Sequence, residues 1–588
     1  MPAARLDGNA SSAEAWPWVT SSSRPERNYL AEVHAATGDY EDLFIAACNT
    51  LATQYAEVLV AVNAPRWQRE APRTLAEALA RPDADAWIAA MLEELASLRS
   101  KHVFEFADLP AGHMPIDLRW VFSYKLRPDG AVEKHKARLV AKGYTQQYGI
   151  DFYEVWAPTG RLAAYRLLLA HAAEHKLPVF LLDFKTAFLN GRLHEEIYVT
   201  QPPGFSDSDD TRVWRLHRAL YGLKQAAHAW HAALRSALGD LGYQPSQVDP
   251  AVFVRTSTAG SLMMHTHVDD CAATGPPSEV QADFDKLLLR FEGRALGELD
   301  GQLFLGMFHE RDWDKGLIHV SNPHQIEKLL SEHASYCSTP ISSPCDPKTV
   351  LTAAQDSDTA DHPLLASYAA IVGSLMYIAS STRPDLCFVA SLLARFMSAP
   401  RDQHAAAAVR ALRYLNKTRH HRLIIGFAPR SSPLEVWSDS DHGCCPDTRR
   451  SVAGLVVSAF GSTVHWRSVR QSTVAKSTMI AEYYAASAAA DEAIYFRQLL
   501  SELSYNLEAT SLMCDNASAC SILNQPIVND KSRYAAINAH YVRERVALRE
   551  IDIVSVPTDR MLADCMTKAL TPDKHDRACK LLAVAKGE

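Results

Sequence analysis

The sequence lacks any apolar run approaching the ~18 residues of a transmembrane helix, and no positively charged, apolar leader follows Met1. We therefore expect a protein that is neither secreted nor inserted in a membrane. The sequence also lacks the C-x-x-C spacing of zinc ribbons, and its 11 cysteines are thinly spread. An odd cysteine count that includes the adjacent pair Cys444 and Cys445 favours reduced thiols over a disulfide framework.

What is present is the composition of a globular protein. Of 588 residues, 47% are hydrophobic and 22% are charged, which excludes collagen-like and largely disordered chains. The net charge of −8 is not that of a uniformly basic nucleic-acid binder. Basic residues are nevertheless clustered between Arg119 and Lys142, where seven Lys or Arg stand against two acids. Such a segment is either solvated surface charge or a contact for phosphates, and the pattern alone favours neither.

The hydrophobic periodicity predicts an α+β, multidomain protein. Residues 1–70 contain Ser, Ala and Pro clusters and are predicted to form a poorly ordered N-terminal arm or linker. Mixed helices and strands are predicted over 71–330, and a mainly helical stretch over 331–430. In the last region, 431–588, the predicted order βββαβα…βα is typical of a mixed-sheet, nuclease-like domain, with a long helix over about Ser477–Leu503.

Three aspartates stand where strands are predicted to end or turn. An apolar strand ends at Asp183, and a later hairpin turns at Asp269 and Asp270. A single Asp in such a place is usually a turn former or a helix cap, but the joint placement of three suggests a shared site. Clustered carboxylates repel unless a cation neutralises them, and hard oxygen ligands select Mg²⁺ or Mn²⁺. Two such ions ~3.5–4 Å apart can catalyse phosphoryl transfer, so the set predicts a two-metal site.

A second acidic set lies in the C-terminal region. Asp439 and Asp515 are predicted at strand ends, Glu482 in the first turn of the long helix, and Asp564 after the last loop. Alanines follow Glu482 at helical spacing, so a close neighbouring element is expected to pack on that face. Because the four acids lie on separate elements, they form a second metal cage only if the fold brings those elements together.

Short motifs follow one another in a fixed order along the chain: Lys136–Tyr144, Leu182–Gly191, Gln201–Phe205, Ala219–Gln225, Val268–Asp270, Thr382–Asp385, Trp437–Asp441, Ala481–Tyr483, Cys514–Asn516 and Leu562–Asp564. In this order they resemble the reverse transcriptase and ribonuclease H region of the Pol polyprotein of copia-type (Pseudoviridae) LTR retrotransposons. The resemblance spans about residues 72–575, far more than isolated motifs reach by chance. It implies a right-hand polymerase of palm, fingers and thumb, followed by a ribonuclease H-like mixed β-sheet domain.

The resemblance also implies roles for individual residues. Asp183, Asp269 and Asp270 would be catalytic and would together bind two Mg²⁺ (or Mn²⁺) ions. The second set, made up of Asp439, Glu482, Asp515 and Asp564, would likewise be catalytic and would together bind two such ions. Substrate binding would fall to five residues. Lys136 and Arg138 would grip the triphosphate, Phe188 would exclude a 2′-hydroxyl, and Tyr221 and Gly222 would lie near the nascent base pair.

The function that the resemblance implies is that of an RNA-directed DNA polymerase with ribonuclease H activity. Its partners would be an RNA template, a DNA primer, the RNA–DNA hybrid and deoxynucleoside triphosphates, with retroelement capsid and integrase as further partners and no membrane. It would act in the cytoplasm, within a virus-like particle, or in the nucleus. The alternative is a catalytically silent remnant or a co-opted nucleic-acid-binding protein, which would bind a hybrid without extending a primer.

Two positions depart from the family pattern. His267 stands before Val-Asp-Asp where relatives usually carry Tyr, and Ile480 stands where a second Glu often precedes the nuclease Glu482. Helical spacing turns Ile480 about 200° away from Glu482, which makes Glu482 the expected ligand. No protease Asp-Ser/Thr-Gly motif, zinc knuckle or integrase finger is present, so we expect the C-terminal part of a polyprotein or a truncated copy.

Overall fold

The computed structural model describes residues 70–126, 132–205, 210–355, 358–426, 432–524 and 536–586. The predicted N-terminal arm therefore lies outside the described residues, except for residue 70. The chain divides into two compact units. The first comprises the described residues of Met1–Pro158 together with Lys185–Ala237, and the second comprises Thr159–Phe184 together with those of Leu238–Glu588.

Helices occur throughout both units. In chain order, those of the described residues are α1 (Leu75–Leu79), α2 (Ala84–Ser100), α3 (Leu162–Glu174), α4 (Ala226–Asp240), α5 (Pro277–Arg290), α6 (Pro323–Glu332), α7 (Tyr368–Ser381), α8 (Cys387–Ala394), α9 (Asp402–Lys417), α10 (Thr478–Glu502), α11 (Ala517–Leu523), α12 (Ala536–Ala547), α13 (Asp564–Thr567) and α14 (Pro572–Leu581). The longest, α10, matches the helix predicted over about Ser477–Leu503, and the Ser477 side chain caps it by accepting from the Ile480 N–H.

The strands form separate sheets. Those of the described residues are β1 (Phe104–Ala107), β2 (Leu118–Leu126), β3 (Val132–Ala141), β4 (Val179–Phe184), β5 (Arg192–Val199), β6 (Val213–Arg218), β7 (Gln244–Pro245), β8 (Val252–Ser257), β9 (Gly260–His267), β10 (Asp270–Thr274), β11 (Gly293–Glu298), β12 (Leu303–Phe304), β13 (Met307–Asp312), β14 (Leu317–Ser321), β15 (His421–Ile425), β16 (Leu434–Asp441), β17 (Val452–Ala459), β18 (Ser462–Arg470), β19 (Thr510–Cys514), β20 (Ile551–Ser555) and β21 (Val584–Lys586). These assignments confirm an α+β chain.

The first unit contains the sheet β1-β6-β5 and the hairpin β2-β3, with α2 packed on β3. Apolar residues of α2 recur at helical spacing and are buried in the core of this unit, where Trp87 contacts the rings of Phe122 and Tyr124. The turn between β2 and β3 lies outside the described residues. This unit thus combines a helix, a long hairpin and a small antiparallel sheet.

The second unit contains the remaining sheets. One has the strand order β11-β4-β10-β9-β8-β7 and is antiparallel along its length, and another has the order β12-β13-β14-β15-β21. In the third, β18-β17-β16 is antiparallel and β16-β19-β20 is parallel, with α10 packed on β16. This third sheet has the element order that the sequence predicts for the nuclease-like region.

One hydrophobic cluster joins two of these sheets within the second unit. Helix α3 supplies buried residues from Ala163 to Ala173, and it packs both on β9 and β10 and on β18. Ala485, Ala489 and Ala493 of α10 are buried in the second unit, and Ala489 and Ala493 belong to this cluster, as the predicted close packing on that face requires. The sheet that carries Asp183 and the sheet that carries Asp439 therefore share a single core.

The expectation that no apolar run could cross a membrane is wrong for one stretch. Pro363–Ser381 is 19 residues long, with a mean hydropathy of 1.5, and by length and composition alone could do so. Its apolarity has a structural reason, because Tyr368, Ile371 and Leu375 are fully buried in a cluster formed with α6, α8 and α9. One face of the helix thus packs on other helices, while Met376 and Tyr377 on the other side are exposed.

A buried ion pair holds this helical region to the C-terminal helix. The Arg383 guanidinium donates to both oxygens of Asp385 at 2.8 and 2.7 Å and to Thr418 at 2.9 and 2.7 Å. The Tyr414 hydroxyl donates to Asp385 at 2.6 Å and lies 3.0 Å from Nε2 of His575 on α14. Both charges are fully buried, so each depends on the other for its stability.

We predict that Asp385→Asn lowers the free energy of unfolding by about 3–5 kcal/mol, because it leaves Arg383 buried without a counter-charge. The matched control is Asp346→Asn, which removes a half-exposed carboxylate 3.8 Å from Arg410 and is expected to cost under about 1 kcal/mol. Urea unfolding followed by circular dichroism measures both. Equal losses in the two variants would contradict the importance of the buried pair.

Candidate active sites

The first acidic set lies where three antiparallel strands of the second unit meet. Asp183, the next-to-last residue of β4, lies directly opposite Asp270, the first residue of β10. The turn differs by one residue from the predicted one: Val268 and Asp269 form it, and Asp270 already pairs with His267. The difference arises because Asp270 pairs with His267, so that β9 ends and β10 begins one residue earlier than the apolar pattern of the sequence indicates.

The turn that carries these acids has a strained backbone. Val268 has φ +61°, in the left-handed region that a β-branched residue rarely adopts. The backbone carbonyl of Asp269 accepts a hydrogen bond from the Phe184 N–H at 2.9 Å, which ties the turn to β4. Strain of this kind persists only where the surrounding structure fixes it, and it is commonly found at functional sites.

A basic residue that the sequence analysis did not select neutralises part of this charge. Arg294 on β11 lies opposite Asp183, and its Nε donates to the Asp183 carboxylate at 2.9 Å. The preceding residue must be glycine, because a Cβ on Gly293 would lie 2.7 Å from the Asp183 carbonyl oxygen. No local pattern marks Arg294, since only the strand register brings it to Asp183.

Burial and charge repulsion both act on Asp270. They raise its pKa to about 6, burial first and then the neighbouring carboxylates of Asp269 and Asp183, with Arg294 opposing them. Among the described residues, these three carboxylates do not all come within 4.8 Å of one another. The structure thus groups the predicted residues at one end of the sheet but leaves them more widely spaced than those of the second set.

The predicted substrate-binding residues form a patch in the first unit. The Arg138 guanidinium lies 5.1 Å from the centre of the Tyr221 ring, and the Phe188 ring lies 5.3 Å from it. Lys136 lies on the same exposed face of β3, two residues before Arg138. Gly222 has φ +88°, and a Cβ there would lie 2.2 Å from the Ala141 carbonyl oxygen, so its position requires glycine.

The second acidic set forms a tighter cluster. Ligand oxygens of Asp439, Asp515 and Asp564 all lie within 4.8 Å of one another. Asp439 lies on β16, Asp515 follows the parallel neighbour β19 directly, and Asp564 begins α13. Parallel strands bring Asp439 and Asp515 to the same edge of the sheet, as the sequence analysis required. Thr558 donates to Asp515 at 3.1 Å, and Thr567 donates to Asp439.

Glu482 borders this cluster without belonging to its tightest part. It is the fifth residue of α10, one turn further along than predicted, and its side chain is 5% exposed. Its Oε2 accepts a long hydrogen bond of 3.8 Å from the Cys514 thiol. Burial, together with the charges of Asp439 and Asp515, raises the pKa of Glu482 to about 9. Ile480 is buried as well, but it is apolar and offers no ligand atom.

Lys568 is the basic residue of the second cluster, and the sequence analysis missed it. Its Nζ lies 2.8 Å from Asp564 and 3.7 Å from Asp439. Burial opposes the charge of Lys568, but the two carboxylates outweigh it and raise the pKa of Lys568. Spacing could have revealed this residue, since Lys568 follows Asp564 by four positions and α13 continues between them.

The donors of the second cluster fit a divalent metal ion. Three carboxylates with converging oxygens are the hard ligands that Mg²⁺ and Mn²⁺ prefer. Burial raises the pKa of Asp439, as it raises that of Asp564 to about 6, and a bound cation would favour the charged forms of both. In the first set, Asp183 and Asp270 supply facing carboxylates of the same chemistry.

The chain is similar to proteins of known type. Residues 101–343 match the family described as reverse transcriptase (RNA-dependent DNA polymerase). The Pol polyprotein of transposon RE1 from Arabidopsis thaliana is 33% identical over 85% of the chain and 34% of its own length. The corresponding protein of transposon TNT 1-94 from Nicotiana tabacum is 32% identical over 87% of the chain and 39% of its own length. The putative transposon Ty5-1 protein YCL074W of Saccharomyces cerevisiae is 31% identical over 52% of the chain and 98% of its own length.

The chain thus spans just over a third of the length of the plant polyproteins that it matches. Among solved structures, the N-terminal ribonuclease H domain of Rv2228c from Mycobacterium tuberculosis aligns with 26% of the chain and 98% of its own, at 14% identity and a TM-score of 0.18. A likeness at this level does not by itself establish a shared fold.

We predict that Lys568→Met lowers the melting temperature of the metal-free protein by about 5 °C, because the buried carboxylates lose their counter-charge. Added Mg²⁺ should raise the melting temperature more in this variant than in the wild type, since the ion replaces the missing charge. The control is Lys580→Met, which breaks an exposed pair with Asp576 at the same four-residue spacing and should change neither value. Differential scanning fluorimetry with EDTA and with Mg²⁺ measures both. Identical responses of the two variants would contradict the role given to Lys568.

Proposed function

Because the chain belongs to the Pol polyprotein family of copia-type retrotransposons, we propose that it is an RNA-directed DNA polymerase that also degrades RNA in RNA–DNA hybrids. The observation that carries the proposal is the presence of two separate carboxylate groups in the second unit, each placed by strands of its own sheet. Holding several carboxylates close together costs free energy, and metal-dependent catalysis explains that cost whereas binding without catalysis does not. The chain covers only part of the length of the plant relatives, so these activities are proposed for this chain alone.

In DNA synthesis, Asp183, Asp269 and Asp270 would hold two Mg²⁺ or Mn²⁺ ions. When bound, such ions supply the charge that activates the attacking hydroxyl and stabilises the leaving oxygen in phosphoryl transfer. The protein's own contribution is to keep the carboxylates of Asp183 and Asp270 opposite each other on paired strands. Arg294 would hold Asp183 in place between catalytic cycles.

Recognition of the nucleotide would fall to the patch of the first unit. Lys136 and Arg138 would contact the triphosphate, since guanidinium and ammonium groups bind phosphate oxygens. Phe188 would stand against the sugar and exclude a 2′-hydroxyl, which selects deoxynucleotides. Its ring packs against Tyr221, and this contact restricts how far the ring can move. Tyr221 and Gly222 would contact the nascent base pair.

In RNA cleavage, Asp439, Asp515, Asp564 and Glu482 would hold the second pair of ions. Thr567 and Thr558 orient two of these carboxylates through hydrogen bonds. The raised pKa of Glu482 means that the metal-free protein holds a proton there at neutral pH, and metal binding would release it. The substrate would be the RNA strand of a hybrid, whose 2′-hydroxyls distinguish it from DNA.

We further propose that residues 71–330 form the fingers and palm, residues 331–430 the thumb and connection, and residues 431–588 the ribonuclease H-like domain. RNA template, DNA primer and deoxynucleoside triphosphates would be the partners, with capsid and integrase in a cytoplasmic virus-like particle or in the nucleus. The competing proposal is a silent remnant. The presence of all seven acids favours an active enzyme.

We predict that replacing Asp269 and Asp270 by Asn reduces primer extension on an RNA template to background, because the charge that binds the metal is lost. Cleavage of RNA in a hybrid should persist, since Asp439 and its partners are unaltered. Primer extension and hybrid cleavage with Mg²⁺ measure the two activities on the same preparation. Loss of both would indicate misfolding, and extension at the wild-type level would contradict the assignment.

We predict the reverse pattern for Glu482→Gln, which should abolish hybrid cleavage and leave primer extension intact. Ile480→Glu should not rescue this variant, because α10 places residue 480 on another face from residue 482. A labelled RNA strand annealed to DNA reports the cleavage. The assignment of Glu482 fails if the single variant still cuts, or if the added Glu at position 480 restores cutting.

A further inference from the structure

A cleft of about 510 Å³ lies within the second unit. None of the proposed activities uses this cleft. Helix α3, helices α7 and α8, and strand β18 form its walls. Its floor is apolar, with Ala379, Ala390 and Ala394 among the lining residues. Its polar lining is basic, because Arg161, Arg166 and Arg467 all contribute to it and no acidic residue does.

Arg166 is buried in the wall of this cleft without a counter-charge. Its Nε donates to the Val464 carbonyl at 2.6 Å, and its Nη1 donates to the carbonyls of Ser380 and Ser381 at 3.0 and 2.9 Å. The guanidinium lies 4.0 Å from the centre of the Trp466 ring. Among the described residues, no carboxylate lies within ion-pair distance of Arg166, and Nη2 has no hydrogen-bond partner. The side chain is only 3% exposed.

The carbonyls at the end of α7 compensate this cation only in part. A helix C-terminus carries the equivalent of about half a negative charge, which is less than one guanidinium requires. Burial accordingly lowers the pKa of Arg166 to about 9. A buried cation of this kind is expected to have an anionic partner.

The rest of the cleft adds positive charge. Arg161 donates to both carboxylate oxygens of Glu492 at 2.9 and 2.8 Å. Glu492 is therefore already paired with one of the three arginines. Arg467 is exposed, and it has no ion-pair partner in the described part of the chain. Burial and the three arginines lower the pKa of His465 to about 3, so its ring is neutral. Three guanidinium groups against one carboxylate leave two positive charges.

A polar side chain without a hydrogen bond also lines the cleft. Ser468 Oγ is buried and has no hydrogen-bond partner among the described residues. His465 Nε2 is also buried without a hydrogen bond, but it lies 3.7 Å from a carboxylate oxygen of Glu492. Buried polar groups normally have partners, and a missing partner commonly indicates a ligand, an ion or a water. Both residues line the cleft.

We propose that this cleft binds a phosphate group, held by Arg166, Arg467 and Ser468. Guanidinium groups bind phosphate oxygens in a planar, two-pronged manner, and a hydroxyl supplies a further donor. We assign the phosphate to the backbone of a bound RNA–DNA hybrid, an assignment that depends on the proposed function. A free phosphate compound such as pyrophosphate has the same chemistry and is the other source to be tested.

The test uses two cleft variants and one matched control. Arg467→Gln removes an exposed guanidinium, and Ser468→Asp places a negative charge in the cleft. Arg166 is not replaced, because its hydrogen bonds join three elements of the fold. The control, Arg549→Gln, removes an exposed arginine that has no ion-pair partner in the described ranges, just before β20, at the opposite edge of the same sheet from β18. Melting curves establish that all variants are folded.

Binding of a fluorescently labelled RNA–DNA hybrid is measured by anisotropy in EDTA, so that no chemistry occurs. We expect Arg467→Gln to weaken binding about tenfold. It should also reduce the slope of log affinity against log salt concentration by about 0.7–0.9, the value for one phosphate contact. Ser468→Asp should weaken binding at least as much. Arg549→Gln should change the affinity by less than about twofold, because it lies outside the cleft.

A second measurement separates the two sources of phosphate. If hybrid binding is unchanged but pyrophosphate raises the melting temperature of the wild type and not of the cleft variants, the site is confirmed and its ligand is a free phosphate compound. If neither hybrid nor pyrophosphate distinguishes the cleft variants from Arg549→Gln, the proposal is overturned. A wild type that binds no hybrid at all would contradict the proposed function, and the pyrophosphate measurement would then decide the cleft alone.

Discussion

Mutual repulsion between carboxylates is the constraint that the second unit has to satisfy. Two like charges 4 Å apart repel by about 4 kcal/mol at the effective dielectric constant near a protein surface. The unit nevertheless holds Asp439, Asp515 and Asp564 within 4.8 Å of one another and places Asp183 opposite Asp270. Burial first, and then this repulsion, raises the pKa values of Asp270, Glu482 and Asp564, and one basic side chain at each site opposes the shift. Such an arrangement is maintained only by a rigid framework.

That framework is the core shared by two sheets. Helix α3 packs on the sheet of Asp183 and on β18 of the sheet that carries Asp439, so both acidic groups belong to one compact unit. Polar contacts reinforce the joint, among them the bidentate pair of Arg161 with Glu492 and the bonds of Arg166 to three carbonyls. The same joint forms the basic cleft. Apolar packing and a buried charge therefore occur together at this joint, and a ligand bound in the cleft would contact both α3 and β18.

Several features of the site were predictable from the sequence because they depend on local patterns. The strand ending near Asp183, the hairpin before Asp270 and the helix that carries Glu482 all follow from hydrophobic period and turn residues. The turn itself was misplaced by one residue, because strand register is set by the partner strand. Arg294 was missed for the same reason, since it reaches Asp183 only through the pairing of β11 with β4.

The sequence by itself determined the order of helices and strands in the second unit, the identity of the seven acids, and the family. Each of these depends on residue type and spacing along the chain. Only the tertiary structure decided which acids come together, which bases neutralise them, and that Arg166 is buried without a counter-charge. The physical reason is that a charge acts over several ångströms of space whatever the separation in sequence, so Asp439 and Asp564, 125 positions apart, share one lysine.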